Sequence, residues 1–303
     1  MLMITTFRFK EVCLLMTHKP YPSEDGNPIH HRSIRETDMP SETDTRERIR
    51  VYGFYVAVVG TIAVVGVSLS PFLPHVIVGW SGSLGDRSIF GLVTMAGAWT
   101  ALFGMAVQFY RPTERVNAIL LLPFVTLLSG VIGVATGTVF ATVTLVVAAI
   151  AIIPLVLHPA GRSVVRFDPV AAPSRVLVGL YAVGGIFLVI IAGQELINQF
   201  TLTGEDALRG HYGDLAIWAF SIAMWGGLAV FRRRDWRFAA WVSGFVGLYL
   251  GVGSAVFPDA SSSLGLIGGV SVAAWAVAFV VMAERTRGRL RHGGGAIEES
   301  ATR

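Results

Sequence analysis

The chain has 303 residues, of which 53% are hydrophobic and 15% are charged, and its formal net charge is +4. A soluble domain carries about 25% charged residues, so this composition excludes an ordinary soluble protein. The basic residues lie in short clusters between apolar runs, which excludes the continuous basic surface of a nucleic-acid-binding protein.

The first 48 residues differ from the rest of the chain, because they are polar and lack a sustained hydrophobic periodicity. We predict that residues 1–48 form a disordered cytoplasmic tail. Met39-Pro40-Ser41 begins a segment typical of a short cytoplasmic tail, so we expect Met39 to be the natural start and residues 1–38 to be an upstream extension. The alternative is that residues 1–38 belong to the protein and are simply disordered.

Apolar runs of membrane-spanning length follow this tail. A helix that crosses the hydrocarbon core needs about 20 apolar residues, and six runs meet that requirement: Tyr52–Ser70, Ser88–Tyr110, Val176–Ile197, Asp214–Phe231, Ala239–Phe257 and Leu264–Ala283. The remaining run, Ala118–Leu157, has no charge and is twice too long for one crossing at about 1.5 Å per residue, so we predict two helices with a turn near Gly137. The sequence thus predicts an all-α membrane protein with eight transmembrane helices, followed by a disordered cytoplasmic tail over residues 285–303.

The arginines between the runs predict the orientation. Alternate loops and the tails hold sixteen basic residues, whereas the other loops hold only Arg87 and Arg209. Short loops rich in arginine stay in the cytoplasm. We therefore expect a multi-pass protein of the cell membrane with both termini in the cytoplasm. The basic residues that support this orientation are Arg46, Arg48, Arg50, Arg111, Arg115, Arg162, Arg166, Arg175, Arg232, Arg233, Arg234, Arg237, Arg285, Arg287, Arg289 and Arg291.

The two halves of the apolar region resemble each other. An offset of 121 residues matches the third run to the seventh, including Gly130 to Gly251, and an offset of 125 matches Val147-Ala148-Ala149 to Val272-Ala273-Ala274. We predict a tandem duplication of a four-helix unit, with repeats at 49–158 and 175–284 and a cytoplasmic linker at 159–174. Since four is an even number of crossings, the two copies have the same orientation, as in parallel-repeat transporters. The alternative is a duplication without a central pathway.

Glycines follow one face of the third and seventh predicted helices. The spacing of Gly133 and Gly137, and of Gly247 and Gly251, fits the small-xxx-small pattern of close helix contact. Gly130 lies on the same face as Gly133. These glycines therefore predict helix packing, with a flexible or pathway-lining role as the alternative.

Few polar groups fall inside the apolar runs. Glu195 lies about 20 residues from the cytoplasmic end of its helix, so we expect it at the outer membrane interface. His75 and His211 lie in corresponding outer loops, where the alternatives are a metal or solute site and ordinary solvation. The one cysteine, Cys13, excludes a thiolate metal site. We predict no catalytic residue, no cofactor and no bound metal.

The leading functional hypothesis is a small-solute transporter or permease, with a path between the halves near the third and seventh helices. The alternative is a non-catalytic scaffold or accessory subunit that packs against a membrane partner or a second copy of the chain. An enzyme ranks third, because the runs hold no credible nucleophile, base or metal site. The bilayer itself is the predicted partner, and the basic loops, especially Arg232-Arg233-Arg234, are suited to contact anionic lipids.

Overall fold

The computed structural model describes residues 42–72, Trp80, 89–232 and 234–301. Within these segments the chain is helical, and β-pairing is limited to an isolated bridge between Pro169 and Arg232. The principal helices are α1 (Glu42–Leu69), α2 (Ile89–Ala106), α3 (Leu121–Thr136), α4 (Ala141–Leu157), α5 (Arg175–Thr201), α6 (His211–Phe231), α7 (Trp236–Val256) and α8 (Gly265–Ala301).

Helix length and composition agree with a multi-pass membrane protein. In the described part of the chain, 7 helices are long and apolar enough to cross a membrane. Helix α4 is equally apolar but shorter, with 17 residues. The chain is thus an all-helical protein whose helices have the dimensions and composition of membrane spans.

The predicted tails differ from the structure at both ends of the helical region. Helix α1 begins at Glu42, inside the predicted tail 1–48, because the charged stretch 42–50 contains no glycine or proline that would end a helix. Residues 1–41 lie outside the described part of the chain. Helix α8 continues to Ala301 and so covers most of the predicted disordered tail 285–303.

The predicted turn near Gly137 is present between α3 and α4. Gly137 has a left-handed conformation with φ 70°, which glycine adopts without steric cost. Its N–H donates to the Val134 carbonyl, and the Thr138 N–H donates to the Gly133 carbonyl at 2.9 Å. This is the Schellman arrangement that ends helices, and it divides the apolar run of 40 residues into two antiparallel helices.

The helices form two groups, α1–α4 and α5–α8, which contact each other through α2, α3, α6 and α7. Helix α1 packs on α4, and α3 on α4, whereas α5 packs on α6 and α7 on α8. The groups meet where α2 contacts both α6 and α7 and where α3 contacts α6. Helix α5 packs along α6 much more extensively than α1 packs along α2, and the space left beside α1 contains the candidate site described below.

Polar side chains connect the loops at the end of the bundle that carries the arginine clusters, which we call the basic end. We call their network the basic-end junction; it comprises Gln108, Asn117, His158, Arg232 and Asp235, all buried. Arg232 donates to Asn117 Oδ1, to the Val164 carbonyl at 2.6 Å and to the Arg166 carbonyl at 3.0 Å.

Asn117 and Asp235 continue the junction. The Asn117 N–H donates to Asp235 Oδ2 at 2.9 Å, and its side-chain amide donates to the Asp235 carbonyl at 3.1 Å. Arg115 lies 3.4 Å from the same carboxylate. Burial raises the pKa of Asp235 to about 6, although these hydrogen bonds and the Arg115 charge act in the opposite direction.

His158 occupies the neighbouring part of the junction as a neutral ring. Its Nδ1 accepts the Ala160 N–H at 3.1 Å, so Nε2 carries the proton and donates to Gln108 Oε1 at 3.2 Å. Burial lowers the pKa of His158 to about 4, and the charge of Arg50, which donates to the His158 carbonyl at 2.5 Å, lowers it as well. The junction thus joins the α2–α3, α4–α5 and α6–α7 connections at the basic end.

Candidate binding site

The connection from α5 to α6 determines where the first turn of α6 lies. After Thr201 a single helical turn, Glu205–Arg209, leads to Gly210, whose φ of 85° reverses the chain into α6. Gln199 is buried and joins both sides of this connection: its Nε2 donates to the Ala207 carbonyl at 2.8 Å, and its Oε1 accepts the Gly213 N–H at 2.9 Å.

Asp214 follows directly in the first turn of α6, and its side chain is turned toward α3. Ser129 Oγ of α3 donates a hydrogen bond to Asp214 Oδ1. Ser129 lies seven residues before the end of α3, which is about 10 Å along the helix at 1.5 Å per residue. Among the described residues, no basic side chain forms an ion pair with Asp214. The carboxylate therefore lies well below the end of α3 with a single hydroxyl partner.

Asp214 and Ser129 line a cavity of about 230 Å³. Helices α1, α2, α3, α4 and α6 contribute its walls, which are mainly apolar, with Met95 and Trp218 among the large side chains. A pocket of this size, with an apolar wall and a few polar groups, is typical of a small-molecule site. The remaining polar lining consists of Ser68, Thr94, Thr126 and Thr144.

Four of the five hydroxyl groups in this cavity already donate their protons within the protein, whereas Thr94 Oγ1 is buried without a hydrogen-bond partner among the described residues. Ser68, Thr126 and Thr144 donate to carbonyls of their own helices, at 2.8, 2.7 and 3.0 Å respectively. Ser129 donates to Asp214. These four hydroxyl oxygens retain lone pairs. The cavity therefore presents acceptors to a ligand: a carboxylate and hydroxyl oxygens.

A second, smaller cavity lies on the other side of Asp214. Its volume is about 20 Å³, which is enough for a water molecule. The two cavities share Ser129, Thr144 and Asp214. The smaller one is completed by Gln199 of α5 and by residues from the α3–α4 and α5–α6 connections, including Thr138 and Arg209. Asp214 thus separates the main cavity from a polar space at the end of the bundle opposite the basic end.

The glycines singled out in the sequence lie at contacts within each half. A Cβ atom at Gly130 would overlap Leu145 of α4, and one at Gly133 would lie 3.0 Å from Ala141 Cβ. Gly251 approaches the backbone of α8 at Ala273, and a Cβ at Gly247 would lie 3.4 Å from Ala276 Cβ. Gly133 also lines the smaller cavity. Gly137 forms the turn between α3 and α4.

The two described polar candidates for the outer face, Glu195 and His211, bond to different partners. Glu195 is only 6% exposed and accepts a hydrogen bond from Ser262 at 2.8 Å, so it is buried near the α7–α8 connection. His211 Nδ1 lies 3.0 Å from Asp206 Oδ1. His75 lies outside the described residues. Among the described residues, no group of three or more metal-ligating side chains is suited to hold a metal ion.

The sequence prediction missed Asp214 as a site residue, since it assigned this carboxylate to the outer boundary of its helix. A signal was present: Asp214, Ile217 and Trp218 have the i, i+3, i+4 spacing of one helix face. This face points toward α3 and the cavity. The partner Ser129 is 85 residues away, and no local pattern joins the two.

Comparison with known proteins gives no assignment: no family model, no curated protein and no solved structure matches the chain. The functional argument therefore rests on the geometry of the Asp214 cavity.

Proposed function

We propose that the protein is a small-solute transporter or permease whose path passes through the Asp214 cavity. The supporting observation is a carboxylate below the end of the bundle that faces a cavity of about 230 Å³. Ionisable groups within membrane spans are costly and mark solute or ion pathways. A protein that only packs against its neighbours gains nothing from such a group, because an apolar side chain would fill the same space at lower cost.

The packing around the cavity supports a conformation closed toward the basic end. Between the cavity and that end, Phe54, Val58, Met105 and Ile119 are fully buried, and the basic-end junction lies beyond them. Toward the opposite end, the lining includes Leu69 at the end of α1 and continues past Asp214 into the smaller polar cavity. A second conformation that opens the junction would complete alternating access.

The contacts between the halves support the tandem duplication with eight crossings. The contact of α2 with α7 corresponds, after exchange of the halves, to the contact of α6 with α3, and both contacts occur. Gly97 and Trp218 are separated by 121 residues, and a Cβ atom at Gly97 would overlap the Trp218 ring. Contact between equivalent residues is expected on a pseudo-two-fold axis along the membrane normal. With its 17 residues, α4 is long enough to cross a thin hydrocarbon core.

The basic end is the proposed cytoplasmic end, with both termini in the cytoplasm of a cell-membrane protein. Arg232 is buried in the junction and is therefore not a lipid ligand. Contact with anionic headgroups falls instead to exposed arginines of the same end, such as Arg111 and Arg162.

The scaffold alternative is favoured by a different feature, an apolar groove between α2 and α7. Trp99, Phe103, Trp241 and Phe245 line it, and such a surface suits a helix of a membrane partner or a second copy of the chain. The two functions differ in water content: a transporter cavity is hydrated in at least one state, whereas a packed scaffold is dry.

Cysteine accessibility separates the two functions. In the full chain carrying Cys13→Ser, single cysteines replace Thr126 and Val147, which line the cavity, and their neighbours Leu127 and Val146, which are 45% and 54% exposed on the outside of the bundle. The two residues of each pair lie at nearly the same depth in the membrane. A difference in labelling between them therefore reports access of water to the cavity and not depth. We expect a membrane-impermeant thiol reagent to label the cavity positions only. If none of the four positions reacts, the cavity is dry and the scaffold function replaces the permease.

A further inference from the structure

We infer that the ligand of the Asp214 cavity is a protonated amine with a small apolar body, an inference that rests on the proposed function and specifies its solute class. The ammonium group would take the place beside Asp214 and the hydroxyl oxygens, and the apolar body would lie against Met95 and Trp218. Charge, hydrogen-bonding capacity and wall composition each support this assignment.

The charge of the site is uncompensated by the described residues. Asp214 accepts one hydrogen bond from Ser129 and forms no ion pair among the described residues. Arg209, which lines the smaller cavity, is paired with Glu205. A carboxylate removed from water strongly favours a positively charged partner. An anionic ligand would add a second negative charge at the same place and is excluded on the same ground.

Hydrogen bonding distinguishes a donor ligand from an acceptor ligand. The protons of Ser68, Thr126, Ser129 and Thr144 are donated within the protein, so these oxygens face a ligand as acceptors. An ammonium group has three donors and no acceptor, which complements these four oxygens. The Thr94 hydroxyl, which has no partner among the described residues, can rotate to accept from it as well. A neutral alcohol or amide satisfies the acceptors only in part and leaves the carboxylate charge without a counterion.

The size and wall of the cavity limit the rest of the ligand. A volume of about 230 Å³ with a mainly apolar lining accommodates a single ring or a short aliphatic chain and excludes a large polar solute. Metal ions are less suitable, because one carboxylate with scattered hydroxyls lacks the six or more oxygens that Ca²⁺ prefers. The cavity thus selects an amphiphilic monoamine.

The described residues form no second copy of this site at the position related by exchange of the halves. The 121-residue offset places Val93 opposite Asp214 and Leu250 opposite Ser129, and both apolar side chains are fully buried. The corresponding space beside α5 is filled, since α5 packs tightly on α6 and Trp275 packs against Gly184. We therefore expect one amine site per chain.

The test compares three molecules of nearly the same shape: benzylamine, which is protonated at neutral pH, benzyl alcohol and benzoate. Binding to the purified full chain in detergent is measured by titration calorimetry, with empty micelles subtracted. We expect benzylamine to bind with a stoichiometry of one and a Kd at least about tenfold lower than that of benzyl alcohol. Benzoate should not bind. Equal affinities for amine and alcohol would overturn the inference.

Variants assign the binding to the carboxylate. Asp214→Asn keeps the shape and should weaken benzylamine binding at least about tenfold without changing benzyl alcohol binding. The matched control is Asp259→Asn, an exposed carboxylate in the α7–α8 connection, which should bind benzylamine like the parent protein. If Asp214→Asn fails to fold, Asp214→Ser, which also removes the charge, should still abolish the preference for benzylamine over benzyl alcohol. Unchanged benzylamine binding in a folded Asp214→Asn variant contradicts the amine site.

The outcome is separable from that of the proposed function. Amine-selective binding together with unlabelled cavity cysteines keeps the amine site and overturns the permease. Labelled cavity cysteines without amine selectivity keep the water path and overturn the amine site.

Discussion

The buried polar side chains of this protein fall into two groups that differ in how their hydrogen bonds are completed. In the basic-end junction, Arg232, Asn117 and Asp235 form several hydrogen bonds with one another and with backbone carbonyls. Asp214 has one hydroxyl partner and a cavity. A dense hydrogen-bond network rigidifies a fold, whereas a sparsely bonded carboxylate that adjoins a cavity is ready for a ligand. The first group therefore has a structural role, and the second is the candidate site.

Two residues of the junction give opposite dependences of stability on pH. Asp235 has a pKa of about 6 when folded and an ordinary value of 3.8, so the folded state binds the proton more tightly and the free energy of unfolding rises as pH falls from 6 to 4. His158 has a pKa of about 4 when folded and an ordinary value of 6.5, so its contribution falls over the same interval. Each amounts to roughly 3 kcal/mol at most, at about 1.4 kcal/mol per pKa unit, and the two largely cancel.

Single variants should separate the two contributions. The Asp235→Asn variant retains only the His158 contribution. Its melting temperature in detergent should therefore fall, relative to that of the parent protein, as pH decreases from 6.5 to 4. His158→Gln leaves the Asp235 contribution and should shift in the opposite direction. The measurement is the slope of melting temperature against pH, with exposed Asp259→Asn as the control that keeps the parent slope. Parallel slopes in both junction variants would contradict the assignment.

Gly184 is required by the contact between α5 and α8. A Cβ atom there would overlap the Trp275 ring, which is held by a 2.9 Å hydrogen bond from Nε1 to the Leu180 carbonyl. We expect Gly184→Ala to destabilise the protein by about 1–3 kcal/mol through overpacking, measured as a lower melting temperature. Gly193→Ala on the same helix, where no atom lies within 4 Å of the added Cβ, should be neutral or stabilising. Equal melting temperatures of the two variants would show that Trp275 is able to move aside.

At the scale of elements, the connection between α5 and α6 determines how far below the end of the bundle Asp214 lies. Gln199 holds this connection through the Ala207 carbonyl and the Gly213 N–H. Gln199→Leu leaves both backbone groups without their buried partner, so we expect a loss of about 2–4 kcal/mol and a weaker affinity for benzylamine. The melting temperature and the Kd for benzylamine test these two expectations.

Gln194 is the matched control on the same helix. It is exposed, and within the described segments its amide donates to Asn198 Oδ1 at 3.1 Å. Gln194→Leu should therefore change neither stability nor amine binding. If Gln199→Leu lowers stability but leaves amine affinity intact, Gln199 supports the fold without positioning Asp214.

The elements themselves were largely predictable, because the bilayer requires continuous apolar runs. The predicted run 239–257 corresponds to α7 at 236–256, and the predicted division of 118–157 occurs at Gly137. The pairing of Asp214 with Ser129 was not predictable, because it depends on how α3 and α6 are rotated and on the depth set by the α5–α6 connection. Arg232 was predicted in a lipid-facing loop, but it is buried. Local composition does not specify such tertiary contacts.

At the scale of the whole molecule, the two halves differ in packing more than their sequences suggest. Helix α5 packs tightly on α6, with Trp275 filling the space beside Gly184. The corresponding pair α1 and α2 is more loosely packed and borders the cavity. The cavity thus lies beside the loosely packed helices of the first half and is completed by α6 of the second half. This asymmetry suits a transporter in which α1 and α4 move relative to a fixed second half.

The number of crossings decides how the halves are oriented in the membrane. If α4 crosses, the linker 159–174 is on the same side as both termini, whereas a non-crossing α4 places the linker and the C-terminus on the side opposite the N-terminus. We predict that α4 crosses. In the full chain carrying Cys13→Ser, a cysteine at Val165, which is 69% exposed, should react with an impermeant maleimide in inside-out vesicles and not in intact cells.

A cysteine at Thr203, in the exposed α5–α6 connection, provides the opposite control and should react in intact cells only. Reaction of both positions in intact cells would place Val165 and Thr203 on the same side. Since α5 lies between them and is 27 residues long with high hydropathy, that result would require α5 to remain outside the membrane. If Val165 instead reacts in intact cells and Thr203 reacts only in inside-out vesicles, α5 remains a span but the second half has the opposite orientation. A parallel duplication with eight crossings would then be wrong for a protein with a cytoplasmic N-terminus.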